Sequence, residues 1–224
     1  MNVLFVGNSY TFYGDVPGQV SAFAEADPGA RSIQTDRVVR GGANLEAHVQ
    51  ETGALKRVAE PQWTHVVLQE KSTGPLHDAP DYHRYVRELG RQVKGQVLLY
   101  ETWARQDGHE IYRWGWSGKS PSAMRRKLRA EFDLAARDLD AQVVPVGSAW
   151  ERCLERYPGM ILHDTDMHHA NVLGSHLAAS VFYAWLTGRD PAAVELTVEG
   201  VDERQAQRLR TVAVDVVRLE RARA

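Results

Sequence analysis

Apolar positions in this chain fall into two rhythms. Short unbroken runs occur at 3–6, 38–39, 66–68, 97–100 and 143–146. They are rich in valine and leucine and too short for helices, so they predict strands buried on both faces. Between them, apolar residues recur at helical spacing over 17–26, 45–59, 82–93, 122–139, 147–156, 171–186 and 203–221. The segment MRRKLRAEFDLAARDL shows the amphipathic period most clearly. Asp15 with Pro17, and Asn44, stand where helix starts need them. Five strands alternating with helices predict a parallel sheet covered on both faces, an α/β architecture. No internal repeat or low-complexity linker interrupts the pattern, so one domain over 1–224 is expected. In such sheets, sites form beyond the carboxyl ends of the strands. The stretch 102–121 is too long for a simple connection and carries Trp103, Trp114 and Trp116, which marks it as a functional or mobile loop.

Composition narrows the function classes. A chain of 224 residues with 43% hydrophobic and 25% charged residues is ordinary for a globular protein with a sizeable core. A formal net charge of -2 gives no electrostatic case for nucleic acid or an anionic membrane surface. No apolar run approaches the roughly 20 residues that span a bilayer. The N-terminal segment reads as a strand without a basic leader, so no signal peptide is expected. The single cysteine, Cys153, excludes an intrachain disulfide and fits a cytoplasmic location. It lies in a helical stretch and reads as a packed residue.

Four short stretches carry candidate chemistry. The first strand stops at Gly7 and is followed by Asn8, Ser9 and Thr11. Ser9 is either a nucleophile at a helix start or part of a plain turn. In DTDMHHANVLGSHLAA, Asp166 precedes His169 by three positions, a spacing that lets a carboxylate orient one ring nitrogen and leave the other free as a base. The same segment, with His163, Asp164, Asp166, His168, His169 and His176, also admits a metal site or a cap with solvated histidines. Gly41 and Gly42 follow the second strand, where a backbone N–H can face an oxyanion or simply make a tight turn. Gln69 ends the third strand as a neutral amide with the same two readings. All four stretches fall where one cleft would gather them.

The pattern resembles the SGNH hydrolase (GDSL-like esterase) superfamily, and within it the bacterial branch whose first block reads GNSxT. GNSYT matches that block, GGANL the second, VVLQEKS the third, and DMHHAN the last. The resemblance implies a three-layer flavodoxin-like α/β fold with a central five-stranded parallel sheet. It implies catalytic Ser9, Asp166 and His169, with an oxyanion hole of the Ser9 N–H, the Gly42 N–H and the Gln69 amide. Three positions depart from the family. Gln69 stands where asparagine is usual, Asn8 where aspartate is common, and Ala170 where proline usually follows the histidine. Glutamine in the third block is similar to the carbohydrate-acetylesterase side of the superfamily. The expected activity is hydrolysis of small O-acyl, chiefly acetyl, esters through an acyl-enzyme, with carbohydrate esters as a first substrate guess. No cofactor, metal, nucleic-acid or membrane partner is expected, and Trp103, Trp114 and Trp116 are candidate substrate contacts. Two readings of other classes stand beside it. One is a non-catalytic ligand- or phosphate-binding module on the same fold, and the other is a metal-dependent hydrolase using residues 163–176.

Overall fold

The computed structural model describes residues 1–223. Five strands run parallel: β1 (Asn2–Gly7), β2 (Gln34–Val39), β3 (His65–Leu68), β4 (Gln96–Tyr100) and β5 (Gln142–Val144), in the order β2-β1-β3-β4-β5. Leu4 pairs with Asp36 on one side and Val66 on the other, and Val66 pairs with Val97. Side chains alternate between faces, as a strand's period of two requires. Val3, Phe5, Val67, Leu98, Tyr100 and Val144 point to one core, and Leu4, Val6, Val66, Leu68, Leu99 and Val143 to the other. The first core is closed by α2 (Val16–Ala26), α8 (Val146–Arg156), α9 (Val172–Thr187) and α10 (Glu203–Arg221). The second is closed by α3 (Leu45–Gln50), α4 (Ala54–Val58), α6 (Ala79–Gly90) and α7 (Pro121–Leu139). Two turns of helix complete the list: α1 (Ser9–Phe12) and α5 (Gly74–His77). This is a three-layer flavodoxin-like α/β fold. Fully buried side chains such as Phe5, which meets Phe182 edge-on at 5.2 Å, each contribute about 1.5–3 kcal/mol of apolar burial.

The elements follow the sequence pattern with a few instructive differences. Asn44 caps α3 by accepting the Ala47 N–H at 3.0 Å, whereas Asp15 makes no side-chain cap to α2. The helical pattern of 45–59 is two helices. Thr52 turns its hydroxyl back onto the His48 carbonyl, 3.1 Å away, and the first helix ends there. Strand β2 is longer than its apolar core because edge residues 34–37 pair with β1 while one side faces solvent. β5 ends earlier than its apolar run, since Pro145 precedes the first turn of α8. Cys153 is buried, and that burial pushes its thiol up to about 12. No helix among the described residues is long and apolar enough to cross a membrane.

Candidate active site

The carboxyl end of β1 is built around a close approach. A side chain on Gly7 would meet Thr11 Oγ1 at 2.4 Å and Gln69 Oε1 at 2.5 Å, so only glycine lets these three pack. Asn8 then caps α1. Its Oδ1 accepts the Tyr10 N–H at 3.1 Å, and its Nδ2 donates to the Ala43 carbonyl at 2.8 Å. That second bond ties the first loop to the turn after β2. In this turn Gly42 has φ +70°, a conformation glycine adopts without cost, and Ala43 N bonds back to Arg40 O. His48 ties the two loops again by donating from Nε2 to the Gly7 carbonyl at 2.9 Å. Burial keeps its pKa low and the ring neutral. The result is that Ser9, first residue of α1, and Gly42 have backbone N–H groups with no acceptor among the described residues.

The opposite wall comes from the turn before α9. Asn171 caps that helix, accepting from Leu173 N and Gly174 N at 3.0 Å each. A bridge between His163 and Ala170 closes the base of the turn. Within it Met167 sits at φ +64°, an uncommon conformation for a side-chain-bearing residue, held by bonds from Met167 N to Asp164 O and from Gln106 N to Met167 O. Asp166 Oδ1 accepts the backbone N–H groups of His168 and His169 at 2.9 Å, and Oδ2 accepts His169 Nδ1 at 2.5 Å. Burial pushes the Asp166 carboxyl up. These hydrogen bonds outweigh it and hold the pKa well below the usual range. With Nδ1 committed as donor, His169 presents Nε2 as an acceptor, 2.7 Å from Ser9 Oγ. The imidazole lies between Tyr13 at 4.7 Å and His168 at 4.0 Å. Ser9, His169 and Asp166 are thus brought together in the order a base-activated serine needs.

Gln69 stands at the expected end of β3, beside β1, and its amide is engaged on both sides. Its side chain is fully buried. Oε1 accepts the Asn8 N–H at 2.8 Å and the Thr11 hydroxyl at 2.9 Å, while Nε2 donates to the Glu70 carbonyl at 2.6 Å. A backbone donor at one end and a backbone acceptor at the other fix the amide's orientation, and the N–H given to Glu70 is not free for an oxyanion. Glu70 beside it is also buried. Its carboxylate accepts Leu45 N, at the start of α3, and Lys71 N, and burial still pushes its pKa up to about 7.

The tryptophans separate as well. Trp103 is 1% exposed, stacked on Trp150 at 4.1 Å and 7°, and its Nε1 donates to the His168 carbonyl at 3.0 Å. It is a core residue that pins the histidine turn and not a substrate contact. Trp114 is 62% exposed. Trp116 packs beside α5, edge-on to His77 at 5.3 Å. Among the described residues none of the three hydrogen-bonds Ser9 or His169 or pairs its ring with His169.

Two residues near the site gave no sequence signal. Arg105 bonds the Tyr10 hydroxyl through Nη1, and that hydroxyl lies 3.3 Å from His168 Nδ1. Tyr10 belongs to the GNSYT stretch, yet nothing in its spacing tells of the contact. Arg105 sits in irregular chain where spacing carries no information. Burial, reinforced by Arg105 and His169, pulls the His168 pKa down to about 4, so His168 is neutral at pH 7.

The histidine-rich segment disperses as a ligand set. His163 Nε2 donates to the Ala104 carbonyl, and His176 is buried in α9 between Gln19 and Arg210. Asp166, His168 and His169 do present ligand atoms within 4.8 Å of one another. A cation there would replace the His169–Asp166 hydrogen bond.

No family model matches the sequence, and no curated protein does. Solved structures overlay on it extensively. A DUF4886 family protein from Bacteroides uniformis is 19% identical, with 98% of this chain and 95% of that chain covered and a TM-score of 0.80. A protein assigned to the SGNH hydrolases, from Slackia heliotrinireducens, is 28% identical over 82% of this chain and 97% of that one, with a TM-score of 0.68. An acetylxylan esterase from Geobacillus stearothermophilus is 16% identical over 81% and 91%, with a TM-score of 0.58. The chain has the SGNH/GDSL-like hydrolase fold.

Proposed function

We propose that this chain is a serine ester hydrolase acting on small O-acyl esters, with Ser9 as nucleophile. The observation that carries the reading is the chain of contacts Ser9 Oγ–His169 Nε2–His169 Nδ1–Asp166 Oδ2, at 2.7 and 2.5 Å. A serine hydroxyl is a weak nucleophile until a base takes its proton. As Ser9 Oγ attacks the ester carbonyl, His169 Nε2 accepts that proton, and Asp166 stabilises the imidazolium that forms. The carbonyl oxygen becomes an oxyanion. The unpaired N–H groups of Ser9 and Gly42 are the donors for it, each worth on the order of 3 kcal/mol in the barrier. His169 then gives the proton to the departing alcohol. Water, deprotonated in turn by His169, attacks the acyl-serine and releases the acid. The nearby fold relatives include acetylxylan esterases, which supports an acetyl group as the acyl part.

A phosphate cradle at the same turn fits less well. The N–H groups of Asn8, Tyr10 and Thr11 are already bonded to Gln69, Asn8 Oδ1 and Asn8 O, leaving only that of Ser9. The proposal is tested with p-nitrophenyl acetate. Wild-type protein is expected to release p-nitrophenol and Ser9→Ala to fall to background, and turnover unaffected by Ser9→Ala would refute it.

A further inference from the structure

The chain of contacts from Ser9 to Asp166 leaves one imidazole beside it without a role. His168 Nε2 lies 3.4 Å from Asp166 Oδ2, the same oxygen that takes His169 Nδ1 at 2.5 Å. Ring nitrogens of two consecutive residues therefore converge on one carboxylate oxygen. The other oxygen, Oδ1, is held by the backbone N–H groups of His168 and His169, which fixes the direction of the carboxylate. The His168 ring is held from its far side, where Nδ1 stands 3.3 Å from the Tyr10 hydroxyl. Trp103 Nε1 fixes the backbone of the same residue by donating to its carbonyl at 3.0 Å.

Two imidazole nitrogens and a carboxylate oxygen make a ligand set for a divalent cation of zinc type, with water in the fourth position. The ligand atoms of Asp166, His168 and His169 lie within 4.8 Å of one another. Ligand atoms about 2.0–2.2 Å from a tetrahedral Zn²⁺ stand about 3.3–3.6 Å apart. The 3.4 Å between Asp166 Oδ2 and His168 Nε2 already has that value. The contact to His169 Nδ1, at 2.5 Å, has to open by about 1 Å. The Asp166 side chain is 42% exposed, which gives the cation an approach from solvent. Arg105, bonded to the Tyr10 hydroxyl, is the positive charge that limits the affinity. A metal held by three side chains with an open position is ordinarily a catalytic one. Here the set faces Nδ1 of His169, while Ser9 stands at Nε2. An ion in this place cannot activate Ser9 and opposes the base that does.

We infer that Asp166, His168 and His169 form an inhibitory site for a zinc-type divalent cation. In the resting arrangement His169 Nδ1 carries the ring's proton. Coordination takes the Nδ1 lone pair, so that proton passes to solvent and one returns at Nε2, and the ring stays neutral. Nε2 then donates to Ser9 Oγ where it had accepted, and the general base is lost. His168 coordinates through Nε2 and keeps its proton on Nδ1, where the Tyr10 hydroxyl oxygen accepts it. Binding of the cation stands apart from the ester-hydrolase reading above, whereas inhibition rests on it. Hydrolysis of p-nitrophenyl acetate, corrected for background, is followed as ZnCl₂ and then EDTA are added. Wild-type turnover is expected to fall with Zn²⁺ and recover with EDTA, while Mg²⁺, which prefers oxygen ligands, leaves it unchanged. His168→Ala keeps Ser9, His169 and Asp166, and its inhibition constant for Zn²⁺ should rise at least about tenfold, since even the partners of metal ligands are worth that much. Equal inhibition of His168→Ala and wild type overturns the site, as does an active wild type that Zn²⁺ leaves unchanged or stimulates. A second arm needs no turnover: Ser9→Ala protein is titrated with ZnCl₂ by calorimetry, alone and with His168→Ala added. One equivalent bound by the first and lost from the second supports the site, and equal binding by both overturns it. Failure of metal-free wild-type protein to cleave the ester would strike the hydrolase reading alone, because the titration still reports on the cation site.

Discussion

Ser9 Oγ and His169 Nε2 stand 2.7 Å apart although 160 positions separate them in the chain. One sits at the carboxyl end of the first strand and the other in the turn before the penultimate helix. Neither segment could place its side chain alone. Asn8 and His48 fix the first, and the Asp166 turn, pinned by Trp103 and Gln106, fixes the second.

The two adjacent histidines are expected to differ sharply. His169→Ala should lose several orders of magnitude in kcat, as removal of a triad member does. Asp166→Asn should also be severe, because the carboxylate that sets the tautomer and orientation of the ring is gone. His168→Ala should cost at most about tenfold, since its ring meets His169 at a tilt, 4.0 Å away, and lies 3.4 Å from Asp166 Oδ2, while Ser9 Oγ pairs with His169. Steady-state kinetics on p-nitrophenyl acetate separates these outcomes. A crippled His168→Ala beside an active His169→Ala would reverse the assignment.

Gln69 is expected to behave as a structural amide. Gln69→Ala removes the acceptor for the buried Asn8 N–H and the Thr11 hydroxyl. The loss should be about 2–4 kcal/mol in urea unfolding. A large fall in kcat with unchanged unfolding free energy would instead restore the oxyanion role read from its place at the strand end.

That contrast shows where sequence reading works and where it stops. The strand runs, the helix over 203–221 and the Asn44 cap are legible because they depend on local periodicity and capping chemistry. Ser9, Asp166 and His169 are legible as a set because each lies in a short motif at a chain position the fold makes special. The direction of a side chain is different. Gln69 occupies the expected strand end, but a backbone donor at Asn8 and a backbone acceptor at Glu70 turn its amide inward, and neither is visible in a motif. Trp103 similarly sits in the expected loop but is drawn into the core by its stack on Trp150.

The loop tryptophans should therefore separate by stability. Trp103→Ala removes a buried, stacked, hydrogen-bonded side chain and is expected to cost about 3–5 kcal/mol. Trp114→Ala, at a largely exposed position, should change stability by no more than about 0.5 kcal/mol. Equal destabilisation by both substitutions, seen in thermal melts, would contradict the described packing.

Glu101 makes a prediction for pH. It is fully buried at the end of β4, bonded to the Ser148 hydroxyl at 3.1 Å, and burial outweighs nearby Arg129 and Arg125 to raise its pKa to about 7. Its unfolded value lies near that of a free glutamate, about 4.3. Between these values the folded state binds a proton that the unfolded state has lost, so this group's contribution to stability falls as pH rises from about 4.3 to 7. His48, His163, His168 and His176 have lowered values and oppose that slope on the acid side. The informative quantity is therefore the difference between wild type and Glu101→Gln. Unfolding free energy of wild type relative to the variant should decline across pH 4.5 to 7 and level off above. A difference that stays level across that window would show that Glu101 is ionised in the folded protein throughout.

The central claim is that Ser9 is the group that attacks. A fluorophosphonate reacts with a base-activated serine and leaves a covalent phosphonyl adduct on its oxygen. Incubation of the intact protein with such a probe, followed by peptide mapping by mass spectrometry, reads the nucleophile directly. One adduct is expected, on the peptide carrying Ser9, absent from His169→Ala protein. An adduct on a different residue, or an unmodified Ser9 in folded wild-type protein, would contradict it.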